Sequence, residues 1–136
     1  MVKEIEGESL DKKYTDKHFT KVERSHYDEV VQGMRAAVLG GTCRGANLPD
    51  IEVCGKTGTA QNKGRDHSAF MGFAPMNNPK IAIAVYVENG GFGAVYGVPI
   101  GKLMMEQYLK GELSPQSQLQ ADEIQKRRIN YGIQER

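Results

Sequence analysis

Residues 53–61 read VCGKTGTAQ, and the groups best suited to chemistry in this chain are gathered there. In Lys56-Thr57-Gly58-Thr59 two hydroxyls stand two residues apart, so an extended strand presents both to one ligand on one face. Gly58 between them carries no side chain and leaves room for another backbone. Lys56 adds a positive charge at the same place. The set suits an extended peptide ending in a carboxylate, held by strand addition, charge and hydroxyl donors. A main-chain N–H of such a strand can also stabilise an oxyanion. A bare KTG tripeptide is equally an ordinary strand with a solvent-facing lysine, so its surroundings decide.

Three other patterns fail on physical grounds. Gly55-Lys56-Thr57 ends like a phosphate-binding loop, which needs glycine five residues before Gly55. That position is Asp50, whose carboxylate would repel phosphate. Gly91-Phe92-Gly93-Ala94-Val95-Tyr96 nearly matches a dinucleotide fingerprint, but Tyr96 stands where close helix packing demands the third glycine. It reads as a glycine-rich turn between a strand and a helix. Ser9-Leu10-Asp11-Lys12 satisfies the S-x-x-K pattern of acyl-transferring serine enzymes. The surrounding GESLDKKYTDK is hydrophilic and offers no pocket to desolvate the lysine, so Ser9 reads as a chance match.

The totals narrow the class further. A chain of 136 residues, 39% hydrophobic, is one domain's worth and can bury a core. Eighteen basic residues against seventeen acidic ones, with no basic run, argue against a nucleic-acid partner. Cys43, Cys54, His18, His26 and His67 show no metal-ligand spacing, and neither a metal nor an organic cofactor is expected. The cysteines read as two buried thiols, with a Cys43–Cys54 disulfide left open for an oxidising compartment. No apolar run approaches the roughly 18–20 residues of a membrane span. The N-terminal MVKEIEGESLDKK lacks the apolar stretch of a signal peptide. Any targeting segment is therefore expected outside this sequence.

The pattern of elements is α+β. Residues 1–24 read as an extended arm with one edge strand near Val2–Ile5. Ser25 and Asp28 form a capping-box pattern before Val30, Val31, Met34, Ala37 and Val38 at helical spacing, and Gly40-Gly41 ends the helix. A turn-rich connection, TCRGANLPD, leads to three strands. Over 51–60, Ile51, Val53, Thr57 and Thr59 share one face, and Glu52, Cys54 and Lys56 the other. Residues 68–74 form the second strand and 80–88 the third, with Ile81, Ile83, Val85 and Val87 opposite Ala82 and Ala84. Apolar residues on both faces predict cover on both, with a helix close to the alanines. Short links make the sheet an antiparallel meander. A second helix follows from Pro99 to Gly111, lined by Ile100, Leu103, Met104 and Tyr108. Residues 112–136 read as a polar, solvated tail with a frayed helix over 121–128.

From about Tyr27 to Gly111, VVQGMRAAV, GKTGTAQN, DHSAFMGFAP, NPKIAIAVYVENG and PIGKLMMEQYL follow one another in a telling order. They resemble the C-terminal part of the transpeptidase domain of class B penicillin-binding proteins. The ending YVENGGFGAVYGVPIGKLMMEQYLKG is most similar to the elongation-type penicillin-binding protein 2. The resemblance implies a partial β-lactamase/transpeptidase-like fold, with residues 25–111 as the matching portion. It implies that Thr57 and Thr59 bind the terminal carboxylate of a D-Ala-D-Ala stem peptide, or that of a β-lactam mimicking it. Lys56 would organise charge and protons, and the Thr59 N–H would complete the oxyanion hole. Asp66 and His67 fall in the loop before the next strand, His67 as a hydrogen-bonded residue rather than a base. The intact parent would cross-link the cell wall, anchored in the inner membrane with this domain in the periplasm.

The departures from the family matter as much. The family's serine lies far upstream of the KTG strand, whereas Ser9 is only 47 residues before Lys56. The S-x-N motif occurs nowhere in the sequence. The expectation is a fragment with no catalytic residue of its own and no turnover, since nucleophile and base act as a unit. Loss of neighbouring helices would bare an apolar face and favour a homodimer, or a swap through residues 1–24. Two alternatives stand beside this reading. One is a β-lactamase or β-lactam sensor, against which the downstream stretches argue. The other is a stand-alone, non-catalytic interaction module, which a stable dimer without β-lactam binding would favour.

Overall fold

In the computed structural model, residues 4–5, 7–9, 11, 13, 16 and 19–129 are described. Glu4–Ile5 (β1) and Glu8–Ser9 (β2) pair as a small antiparallel hairpin. Gly7, at φ 84°, makes the turn between them. Val2 and Lys12 lie outside the described residues, so the Ser9–Lys12 pairing does too. Helix α1 spans Arg24–Leu39 and starts two residues earlier than the Ser25 cap implied. Ser25 lies inside it, and Glu23, the N-cap, makes no side-chain capping bond. The capping box therefore does not form. Only the C-terminal end of α1 reaches the core through Val38, while Val30 stays 60% exposed.

The sheet is ordered β3-β4-β5, built from Cys54–Ala60, His67–Ala74 and Ile81–Val87, with both pairs antiparallel. Its register aligns Thr57 with Phe70 and Val85, and Lys56 with Met71 and Ala84. β3 begins at Cys54 rather than at residue 51 because its approach is committed elsewhere. The Glu52 carbonyl accepts the Met76 N–H at 2.7 Å, and the Val53 carbonyl accepts from Arg35 Nη1 at 2.9 Å.

Helix α2, Gly97–Lys110, covers the face that carries Phe70, Ile83 and Val85. A Cβ on Gly101 would stand 2.5 Å from the Phe70 ring, so the helix approaches through its own glycine. The alanines were expected to admit a helix. Ala82 and Ala84 lie instead on the opposite face, with Met71 and Tyr86, each 58% exposed, and no described element covers them. The expected stripe on α2 holds only in part. Leu103 is buried with Val98, Gly101 and Met105, and Ile100 is half-buried, whereas Met104 and Tyr108 face outward.

The polar segment after Gly111 is not simply solvated. Pro115–Lys126 form helix α3, six residues earlier than the frayed helix read at 121–128. Ser114 caps it by accepting the Ser117 N–H at 3.3 Å, and proline at the first turn fixes the entry. The helix is docked through Glu106 of α2, 1% exposed, whose Oε1 accepts the Ser114 N–H at 3.4 Å.

Burial is the largest influence on the Glu106 carboxyl and pushes its pKa up. The Ser117 and Ser114 hydroxyls, the Ser114 N–H and the Lys102 charge outweigh it, so the pKa ends below its ordinary value. A depressed folded-state pKa means that Glu106 contributes stability above its unfolded pKa, and that this is lost as pH falls through the folded value. Glu106→Gln is expected to loosen α3 by about 1–3 kcal/mol at pH 7 and to abolish the acid-dependent part. Amide exchange over residues 115–126 between pH 7 and pH 3 measures both effects. Identical pH profiles for variant and parent would contradict this account.

Candidate functional site

β3 is an edge strand, and its odd-numbered residues turn their main-chain groups away from β4. The Thr57 carbonyl accepts from Lys56 Nζ at 2.8 Å, and the Thr57 main chain also hydrogen-bonds the Cys43 thiol. By the two-residue period, Thr59 presents its N–H and carbonyl outward as well.

Side chains alternate with the same period. Thr57 and Thr59 face a pocket of about 490 Å³ whose walls include Thr42, Arg44, Phe92 and Gly93. The hydroxyls of Thr57 and Thr42 are hydrogen-bonded at 2.7 Å, either one donating. Lys56 points to the opposite face and curls back to the strand edge, so charge and hydroxyls flank the edge from two sides. Gly58 shares the lysine's face, where an added Cβ would abut Ala69 Cβ at 3.3 Å.

The glycine-rich loop after β5 forms the pocket's other wall. Buried Ser68 donates to the Phe92 carbonyl at 2.9 Å and accepts the Gly97 N–H at 3.0 Å, tying the loop to β4 and to the start of α2. Tyr96, in the place of the fingerprint's third glycine, is buried under the Arg127 guanidinium 5.5 Å from its ring centre. The loop serves as a connector, as its sequence indicated.

His67 opens β4 on the face of Lys56. Its Nδ1 accepts the Asn89 N–H at 2.9 Å, and its ring lies 5.3 Å from Tyr86. Asp66 holds the hairpin loop, its carbonyl accepting the Gly91 N–H at 2.7 Å. Cys43 and Cys54 are separate buried thiols with no bond between them. Burial raises the pKa of each, outweighing the Thr42 and Thr57 hydrogen bonds and the Lys56 charge at Cys43, and Arg35 at Cys54. Among the described residues, no group of three or more His, Cys, Asp or Glu could hold a metal ion. Sequence reasoning missed Thr42 and Arg44, which sit in a connection read only as turn-forming. No local periodicity points fifteen residues ahead to Thr57.

Residues 1–106 match the family model described as the penicillin binding protein transpeptidase domain. The match thus begins well before Tyr27. The chain is 39% identical over 93 residues to peptidoglycan D,D-transpeptidase MrdA of Acinetobacter baumannii, covering 54% of this chain and 14% of that protein. Its fold is similar to that of Pseudomonas aeruginosa PBP2 in complex with WCK 5153, at 40% identity and a TM-score of 0.59, over 69% of this chain and 22% of that one. It is also similar to the ceftriaxone acyl-enzyme complex of penicillin-binding protein A from Mycobacterium tuberculosis, at 30% identity and a TM-score of 0.55, over 60% and 20% of the two chains. The chain therefore spans a minor part of each relative. An edge strand with paired threonines, a three-strand antiparallel sheet under α2 and a family match over residues 1–106 agree: the chain belongs to the transpeptidase-domain family of penicillin-binding proteins and is similar to penicillin-binding protein 2.

Proposed function

We propose that this chain is the substrate-holding segment of a peptidoglycan D,D-transpeptidase. Thr57 and Thr59 would grip the terminal carboxylate of a D-Ala-D-Ala stem peptide, or that of a β-lactam. The observation that carries the reading is the pairing of these hydroxyls in one pocket beside the outward main-chain groups of an edge strand. The relatives lend support, one bearing the name peptidoglycan D,D-transpeptidase and another being described as a ceftriaxone acyl-enzyme. Lys56 brings positive charge to the strand edge, Gly58 keeps the strand close to β4, and the Thr59 N–H serves as an oxyanion donor.

In the intact parent, a serine outside this chain attacks the D-Ala-D-Ala carbonyl and D-alanine leaves. An amine of a second stem peptide then displaces the serine from the acyl-enzyme and completes the cross-link. Localisation in the periplasm, with an inner-membrane anchor, belongs to the same proposal. No helix among the described residues is long and apolar enough to cross a membrane. Self-association is proposed through the open face of Met71, Ala82, Ala84 and Tyr86.

Incubation with a fluorescent penicillin followed by intact mass is expected to give no covalent adduct. Titration with N-acetyl-D-Ala-D-Ala should shift amide resonances of β3, and Thr57→Val should weaken that binding about 10-fold or more. An adduct on Ser9 would overturn the missing-nucleophile reading. Absence of any β3 shift would overturn the binding reading, and a monomer by light scattering on the same sample would remove self-association.

A further inference from the structure

We propose that Arg44 supplies the countercharge for the ligand's carboxylate in the Thr57–Thr59 pocket, an assignment that rests on the binding reading above. Two hydroxyls alone recognise a carboxylate only as neutral donors. Charge-assisted hydrogen bonds are about twice as strong and select the ionised form. The strand's own cation is poorly placed for this task. Lys56 projects from the opposite face of β3, and its Nζ is engaged by the Thr57 carbonyl at 2.8 Å. Among the residues lining the pocket, Arg44 is the one with a charge.

Its surroundings leave it available. Arg44 makes no ion pair or side-chain hydrogen bond among the described residues. It also borders a neighbouring groove lined by Asp50, Glu106 and Glu123, none of which is paired with it. Asp50 is paired with Lys110 at 3.3 Å, and Glu106 takes the Ser114 N–H. The Arg44 backbone is fixed although its side chain is exposed. Cys43 and Ala46 on either side are fully buried, the Arg44 N–H donates to the Gly41 carbonyl, and the Asn47 N–H donates to the Arg44 carbonyl, both at 3.2 Å. The neighbouring Thr42 holds the Thr57 hydroxyl at 2.7 Å. One short connection thus sets the pose of the Thr57 hydroxyl and stations a planar fork of N–H donors in the same pocket.

The test is titration of the 136-residue chain with N-acetyl-D-Ala-D-Ala and with its C-terminal methyl ester, followed by amide shifts on β3. Arg44→Ala is expected to weaken the free-acid peptide about 10-fold and to leave the ester unchanged. Arg44→Lys, which keeps charge but loses the bidentate fork, should fall between them. Added salt should erode wild-type binding of the acid and leave Arg44→Ala nearly flat. If Arg44→Ala binds the acid like wild type while Thr57→Val does not, the Arg44 assignment is wrong and the hydroxyl site stands. Equal losses for acid and ester in Arg44→Ala, repeated in Arg44→Lys, would mean a structural role and also overturn it. No β3 shift with either ligand in the wild type would remove the site and the Arg44 assignment together.

Discussion

Replacing Phe70 by alanine is expected to cost about 3–5 kcal/mol, a large share of the roughly 5–15 kcal/mol that holds a domain of this size together. The ring is 2% exposed at the centre of β4. A Cβ on Gly55 would come within 2.6 Å of it, one on Gly72 within 2.8 Å and one on Gly101 within 2.5 Å. Three glycines, from β3, β4 and α2, therefore surround one aromatic side chain. That arrangement makes truncation costly at both levels. The apolar area of the ring is lost, and the three glycines beside it have no side chains with which to fill the void. The denaturation midpoint measures the effect, with Val30→Ala on the exposed side of α1 as the control, expected within about 0.5 kcal/mol of the parent. A cost below about 1 kcal/mol at Phe70 would show that the glycine cage collapses freely.

Gly93→Ala is expected to damage the pocket more than any exposed substitution in its walls. The new methyl would meet the Ala69 carbonyl oxygen, stand 2.7 Å from the Gly58 carbonyl oxygen and lie 3.0 Å from Thr57 Cβ. Two of these three atoms belong to sheet backbone, which cannot swing aside as a side chain tip can. The loop must lift off β3 and β4, at about 1–3 kcal/mol, and binding of N-acetyl-D-Ala-D-Ala should fall at least about 10-fold. Gly64→Ala is the matched control, since nothing lies within 4 Å of its would-be Cβ and its backbone is unstrained for alanine. Thermal unfolding and peptide titration on the two variants decide the matter. Parallel behaviour of Gly93→Ala and Gly64→Ala would mean that the loop is not pressed onto the strand.

What could be read in advance follows the range of the interactions concerned. The meander was legible because strand alternation and short links are local, and Thr57, Thr59 and Lys56 fall on the faces their spacing assigns. The helix expected against the alanines was misread, because alanine in a strand resembles a landing site for a helix while the clearance under α2 comes from Gly97 and Gly101 in the helix itself. Helix α3 was placed too late. Its sequence is mostly polar, and a carboxylate from another helix helps dock it. Thr42 and Arg44 escaped notice for the same reason: their partners lie across the fold, and a turn-rich stretch carries no periodicity.

The outward main-chain groups of β3 have one more consequence, for where a bound peptide must stop. A strand laid on this edge can slip only in two-residue steps of about 6.6–6.8 Å, because a one-residue slip reverses which of its groups face the edge. The berths for a terminal carboxylate are therefore discrete. The berth at Thr57–Thr59 offers two hydroxyls, whereas Gly55 and Val53 offer none. On the proposed binding mode, a peptide of any length would therefore stop with its carboxylate at the same berth, its remaining residues running on along the edge.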